Sequence, residues 1–402
     1  MSSLPPCLSS YYKYLPERPS LDFLFFDAGG GHRSAAVALK TVIDSQDRGW
    51  DVRLVNLQEV LDPLDIFRKA TGLRLEDIYN LVLAKGWTLG SAYLLPPMHA
   101  IIRLYHNAQV RLLTPFWKER KPGLLVSLVP NFNRALYQSL DAALPGVPMV
   151  TVLTDFADYP PHFWIEKQPQ YFVCGTDKAV EQALRFGHPK ERVFRVSGMI
   201  LRPNFYSVAS VDRVEERGKL GLSPGVPTGL MLFGGAGSAV MRDIAKRLGN
   251  SSEHLQLIAV CGRNAGLKQH LESLKLRNPL FVEGFTQQIP YYMQLSDFLI
   301  GKPGPGAIAE AVHMKLPVIV ERNAWTLPQE RYNADWVREH NVGLVLKSFR
   351  EIEPAVREVL SGDKLAAMRE SAGRIENRAV FEIADILAGL LDKAHYNANP
   401  NR

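Results

Sequence analysis

Twelve short apolar runs, separated by longer mixed stretches, set the frame of this 402-residue chain. In the first half they are Leu21–Phe26, Val52–Leu57, Leu124–Val129, Pro148–Leu153, Tyr171–Cys174 and Val193–Ser197. In the second half they are Gly229–Phe233, Leu255–Cys261, Leu280–Val282, Phe298–Ile300, Pro317–Val320 and Gly343–Leu346. A strand covered by helices on both faces is apolar along its whole length, whereas a half-solvated strand alternates. Six such runs per half, with helix-like segments between them, predict two doubly wound α/β domains. In that architecture ligands bind at the C-terminal ends of the strands, here in the cleft between the domains. The boundary is expected near residues 201–227, where Pro203, Pro224, Gly225 and Pro227 flank the charged run Asp212–Lys219.

The richest segment follows the first run. Residues 27–36 read Asp-Ala-Gly-Gly-Gly-His-Arg-Ser-Ala-Ala, so Gly29, Gly30 and Gly31 turn the chain and His32 stands where a helix begins. Glycines let the backbone turn sharply and a ligand approach closely. A histidine there can take a proton from a bound hydroxyl near neutral pH. A second turn, Lys302-Pro303-Gly304-Pro305-Gly306, follows the run Phe298–Ile300 and opens a helix carrying Glu310. Amides at such a helix start suit a diphosphate, and a carboxylate one turn on suits ribose hydroxyls. A third turn, Gly234-Gly235-Ala236-Gly237-Ser238, has the form of an anion cradle but lacks the ending of a P-loop. Gln329, Glu330 and Asn333 cluster beyond the run Pro317–Val320 and can meet sugar hydroxyls or form an ordinary solvated loop.

Residues 62–121 break the alternation and hold no convincing strand. Leu94, Leu95, Met98, Ile101, Ile102, Tyr105, Leu112, Leu113, Phe116 and Trp117 supply apolar bulk there. Arg103, Arg111, Lys118, Arg120 and Lys121 supply positive charge, opposed only by Glu119. A basic amphipathic helix of this kind can lie in a membrane interface, with Arg103, Arg111, Phe116, Trp117 and Lys118 at the surface. It can equally pack on its own domain.

The net charge of +6 permits an anionic surface or a phosphorylated substrate as partner. No nucleic-acid-binding signature accompanies it, so no nucleic-acid partner is expected. Cys7, Cys174 and Cys261 are widely spaced and offer neither a disulfide framework nor a metal-ligand pair. No signal-peptide pattern and no long uncharged apolar span is read, so any membrane contact is expected to be peripheral.

Taken in order, these pieces resemble the monogalactosyldiacylglycerol synthases and their relatives, the bacterial diacylglycerol glucosyltransferases and the N-acetylglucosaminyltransferase that forms lipid II. The resemblance runs from about Leu21 to Leu390. Gly-Gly-Gly-His-Arg-Ser-Ala (29–35), Thr-Asp-Phe (154–156), Cys-Gly-Arg-Asn (261–264) and Gly-Phe (284–285) carry it. So do Lys-Pro-Gly-Pro-Gly-Ala-Ile-Ala-Glu-Ala (302–311), Gln329-Glu330 with Asn333, and Ala-Val-Phe (379–381). The stretches 127–131 and 158–164 depart from the galactosyl enzymes' pattern.

The resemblance implies a GT-B fold: two facing Rossmann-like domains with a cleft between them and a C-terminal helix crossing back. The implied spans are 1–205 for the lipid-acceptor and membrane domain, 206–375 for the UDP-sugar domain, and 376–402 for the crossover helix and tail. It implies an inverting transfer of a hexose, galactose before glucose, from a UDP-sugar to diacylglycerol at the cytoplasmic face of a membrane, with no metal or other cofactor. His32 takes the place of the base, with Asp155 as the group expected to orient it. Gly234, Gly235, Gly237, Ser238, Gly262, Arg263, Phe285, Gly304, Pro305, Gly306, Glu310, Gln329, Glu330 and Asn333 take the UDP-sugar side. A UDP-sugar 2-epimerase of similar fold, or transfer to another lipid, are the alternatives.

Overall fold

The computed structural model describes residues 18–27, 30–64, 100 and 102–398. Gly29 of the first turn lies outside the described residues, as do Leu94, Leu95, Met98 and Ile101 of the amphipathic segment.

All twelve apolar runs are strands, within a residue or two at their ends. The first sheet holds β1 (Ser20–Phe25), β2 (Asp51–Asn56), β3 (Leu124–Ser127), β4 (Met149–Val152), β5 (Tyr171–Cys174) and β6 (Val193–Arg195), in the order β2-β1-β3-β4-β5-β6. The second holds β7 (Thr228–Leu232), β8 (Gln256–Val260), β9 (Leu280–Glu283), β10 (Phe298–Gly301), β11 (Val318–Glu321) and β12 (Gly343–Leu346), in the order β12-β11-β10-β7-β8-β9. Every pairing is parallel. Strand order reverses between β1 and β3 in one sheet and between β7 and β10 in the other. Helices leaving opposite faces at such a reversal open a crevice above the strand ends.

The helix Ala379–Ala398 belongs by sequence to the end of the chain but by packing to the first sheet. Its Val380, Ile383, Ala384 and Leu387 sit in one apolar cluster with Leu39, Val42 and Ile43 of the helix Gly31–Ser45. Asn377, just before it, donates from Nδ2 to the Met199 carbonyl at 3.0 Å, and Ser197 N–H donates to Glu382 Oε2 at 2.6 Å. The end of the chain is thereby tied to the segment joining the two sheets.

The helix His106–Arg120 corrects the membrane reading of its aromatic residues. Trp117 is fully buried and its Nε1–H donates to Ser139 Oγ at 2.8 Å. Phe116 packs edge-on against Trp117 at 4.8 Å and lies beneath the Arg120 guanidinium. The chain between β2 and β3 must cross the sheet, and the sheet face it crosses needs an apolar cover. Leu113 and Trp117 provide it, against Leu24, Leu125 and Leu136. Arg120 also turns inward: with Arg53 it pairs with the buried Asp22 carboxylate at 2.7–2.8 Å. Arg103, Arg111 and Lys118 remain exposed.

Candidate active site

The first sheet places His32 at the start of the helix that follows β1. Gly30, left-handed at φ 76°, makes the turn into that helix. The half-buried imidazole stands with Nδ1 3.0 Å from Thr154 Oγ1, in the loop after β4, and with its ring centroid 5.8 Å from that of Trp164. Burial lowers the His32 pKa to about 4, against the opposing effect of a hydrogen bond with the Leu128 carbonyl. The ring is therefore neutral and competent to accept a proton throughout the physiological range.

Asp155 is placed differently from expectation. Its Oδ2 accepts from Trp164 Nε1–H at 2.9 Å, while Thr154 is the residue whose side chain meets His32. Trp164 takes the place beside the imidazole, and its indole N–H occupies the Asp155 carboxylate. Burial raises the Asp155 pKa to about 7; the Trp164 hydrogen bond and Lys302 lower it, and Glu330 and Asp158 raise it. Asp155 reaches His32 through the indole of Trp164, which touches both.

Trp164 is held in turn. Its backbone N–H donates to Asp158 Oδ1 at 2.6 Å, and its carbonyl accepts from Asn133 Nδ2 at 3.3 Å. Asn133 is fully buried and also joins Ser127 and Thr151 at the ends of β3 and β4. Thr154, Asp158 and Trp164 were not singled out as site residues in the sequence. The signal available was the Thr-Asp-Phe motif itself and an aromatic following a Pro-Pro pair.

Three turns from the second sheet come together opposite. Gly234–Gly237 follows β7, Gly262 and Arg263 follow β8, and Lys302–Gly306 follows β10. The first two pack back to back: Arg263 N–H donates to the Gly235 carbonyl at 2.8 Å, and a Cβ on Gly262 (φ +59°) would lie 2.3 Å from that same oxygen. Only glycine fits there. Ser238 lies at the start of the next helix, its Oγ accepting from Val240 N–H at 3.4 Å. The Arg263 guanidinium lies 4.5 Å over the Phe285 ring, which is 54% exposed.

Gly304 caps the helix Pro305–His313, and a side chain at Gly306 would meet nothing within 4 Å. Pro305 has no N–H, so the first free amides of that helix are those of Gly306 and Ala307. Lys302 lies against Gly304 at the start of this helix, and its Nζ donates to Glu330 Oε1 at 2.7 Å. The free amides and the positive end of the helix dipole make a seat for an anion, with the Lys302–Glu330 pair at its edge. Gln329 is half-buried beside Glu330. Asn333 is fully buried and braces the turn, donating from Nδ2 to the Pro303 carbonyl at 2.9 Å, so in this structure it supports the seat from behind. Glu310 is half-buried one turn along, with Oε1 3.2 Å from Arg202 Nη2; burial raises its pKa and Arg202 opposes the rise.

The two halves meet across the cleft. Phe156, beside Asp155, packs edge-on against Trp336 at 4.8 Å, and Tyr159 lies 5.9 Å from Tyr332. Tyr332 and Trp336 belong to the helix Arg331–Glu339, which Glu330 begins. One loop, 154–164, thus steadies His32 and touches the helix beside the anion seat.

Residues 230–382 match the glycosyltransferase family 28 C-terminal domain. The chain is 28% identical to the probable chloroplastic monogalactosyldiacylglycerol synthase of Nicotiana tabacum over 93% of its own length and 71% of that protein's. It is 28% identical to the chloroplastic monogalactosyldiacylglycerol synthase of Spinacia oleracea, covering 94% of this chain and 73% of that one. Among solved structures, the MnaA–UDP complex of S. aureus superposes with a TM-score of 0.59 at 15% identity, over 93% of this chain and 97% of that chain. The MurG structure of Acinetobacter baumannii superposes with a TM-score of 0.56 at 12% identity, over 92% and 99%. The fold is GT-B, and the chain is a glycosyltransferase. Along more than nine-tenths of its length it is similar to these monogalactosyldiacylglycerol synthases.

Proposed function

We propose that this enzyme transfers a hexose, galactose before glucose, from a UDP-sugar to the free hydroxyl of diacylglycerol at a membrane surface, with inversion to a β-linkage. The observation that carries the reading is the juxtaposition of a desolvated, neutral His32 with a helix-start anion seat across one cleft. In the reaction so read, His32 removes the proton from the lipid hydroxyl as its oxygen attacks the anomeric carbon. The bond to the diphosphate breaks on the opposite side, which gives inversion. UDP leaves with added negative charge, and the Gly306 and Ala307 amides with Lys302 stabilise it. These groups supply the charge stabilisation without a metal, so chelation by EDTA leaves the rate unchanged. The names of the curated relatives support the lipid acceptor and galactose.

The direct test is incubation with radiolabelled UDP-galactose or UDP-glucose and diacylglycerol, followed by lipid extraction. Label in the lipid phase supports the reading and reports the donor. Epimerised nucleotide sugar with no labelled lipid overturns it.

On this reading Glu310 holds the ribose hydroxyls, and Arg202 opposes the rise that burial gives its pKa. Glu310→Ala is expected to weaken UDP and UDP-sugar binding together by roughly 1.5–3 kcal/mol, the range for a hydrogen bond to a charged group. Calorimetry showing unchanged UDP affinity would remove Glu310 from the site.

No helix among the described residues is long and apolar enough to cross a membrane. For the membrane contact we retain the outward part of the basic segment. Leu104 is 81% exposed, Arg103 beside it is exposed, and Arg111 and Lys118, seven residues apart, share the solvent face of the following helix. Basic residues at an anionic surface contribute about 1 kcal/mol each. Changing Arg103, Arg111 and Lys118 to Gln is expected to reduce co-sedimentation with anionic liposomes, most clearly at low salt. Unchanged sedimentation discards this face as the contact.

A further inference from the structure

The segment that joins the two sheets runs along the helix that carries the anion seat. Phe205 of this segment is buried in one apolar cluster with Ile308 and Val312 of the helix Pro305–His313. Its carbonyl accepts from His313 Nε2 at 3.1 Å. Three residues earlier, Arg202 Nη2 donates to Glu310 Oε1 at 3.2 Å. Glu310 and His313 are three apart on the helix and so share a face. The joining segment is therefore fastened to that face at two points. The Arg202 guanidinium is also set over the Phe205 ring, 5.2 Å from its centroid. Asn377 and Glu382 hold the same segment from the other side, through Met199 and Ser197. Arg202 thus projects from a backbone that is fixed on both sides.

Glu310 is the one acidic residue of its helix, and among the described residues Arg202 is the one group bonded to its carboxylate. Oε2 is left unspent. A long side chain on a helix leans back over the preceding turn. The residues of that turn are Gly306 and Ala307, whose amides form the seat, and a side chain at Gly306 would meet nothing within 4 Å. The carboxylate therefore stands between the arginine and the open ground beside the seat. A glutamate with no partner would lose rotamer freedom on binding a ligand. Held by Arg202, Glu310 has given up part of that freedom beforehand, which favours binding.

We propose that Arg202 is a positioning residue for the donor: by holding Glu310 Oε1 it aims Oε2 at the ribose, and so makes the site select a ribonucleotide over its 2′-deoxy counterpart. The inference rests on the reading of Glu310 as the ribose contact. A carboxylate offers about four lone-pair sites, so the Arg202 bond leaves room for sugar hydroxyls. A nucleotide without the 2′-hydroxyl leaves the aimed oxygen without its donor, and an unpaired charged acceptor is what gives such a site its discrimination.

The test is calorimetric titration of UDP and of 2′-deoxy-UDP into the full chain and into Arg202→Gln, Arg202→Lys, Glu310→Ala and the Arg202→Gln/Glu310→Ala double variant. The full chain is expected to bind UDP about tenfold tighter than 2′-deoxy-UDP, the scale of one hydrogen bond to a charged group. Arg202→Gln is expected to shrink that preference severalfold by weakening UDP, with 2′-deoxy-UDP nearly unchanged. Arg202→Lys keeps a cation in place and is expected to keep most of the preference. A residue that served the fold alone would weaken both ligands alike and leave their ratio as it was. With Glu310 already alanine, Arg202→Gln is expected to have no further effect, because Arg202 acts through that carboxylate. No preference in the full chain, an unchanged ratio in Arg202→Gln, or a further loss in the double variant overturns the proposal. The two readings fail separately. A preference that survives Glu310→Ala counts against the ribose contact itself, whereas one lost in Glu310→Ala but kept in Arg202→Gln overturns the role of Arg202 alone.

Discussion

Replacing His32 by alanine is expected to lower glycosyl transfer about 10²–10⁴-fold, the usual contribution of a positioned acid–base group. UDP affinity should be retained, since the anion seat is built on the other sheet. Near-normal turnover in the variant removes His32 from the base role. The pH dependence gives a second reading of the same residue. Because burial lowers the ring's pKa from 6.5 to about 4, the base form persists well into acid, and the limb that His32 imposes on kcat/KM is expected near pH 4. The sign for stability follows from the same shift. Between these values the unfolded chain binds a proton that the folded chain does not, so His32's contribution to stability is complete above about 6.5 and is lost as pH falls toward 4. His32→Ala should flatten that part of the stability profile, measured by denaturant titration at several pH values.

The second large effect is on the fold. Trp117→Ala is expected to destabilise the protein by about 3–5 kcal/mol, the range for emptying a buried aromatic site. The Ser139 hydroxyl, which accepts the indole N–H, would also lose that partner. The measurement is the denaturant midpoint at unchanged slope. If Trp117 served a membrane instead, the variant would keep its midpoint and lose liposome binding.

These two residues mark where sequence reasoning held and where it stopped. His32 was legible because its signal is local: a glycine turn after an apolar strand leaves few conformations, and the residue after it opens the helix. The same holds for Gly304 and Glu310, the cap of one short helix and a residue six positions further along it. Trp117 was not legible. Helical periodicity shows that one face of residues 106–120 is apolar, but a membrane and a sheet make the same demand of that face. The remaining basic residues divided for the same reason, Arg120 inward onto Asp22 and Arg111 and Lys118 outward.

By itself the sequence determined the two six-stranded parallel sheets and the turns at their strand ends, because doubly covered strands must be apolar throughout and sharp turns need glycine. Only the tertiary structure decided which side chains meet across those ends. Thr154 rather than Asp155 faces His32, Trp164 joins Asp155 to the imidazole, and Phe156 and Trp336 close the cleft. Those contacts link residues far apart along the chain, and no local pattern encodes them: they follow from which sheet edge each loop leaves and from what is already packed there.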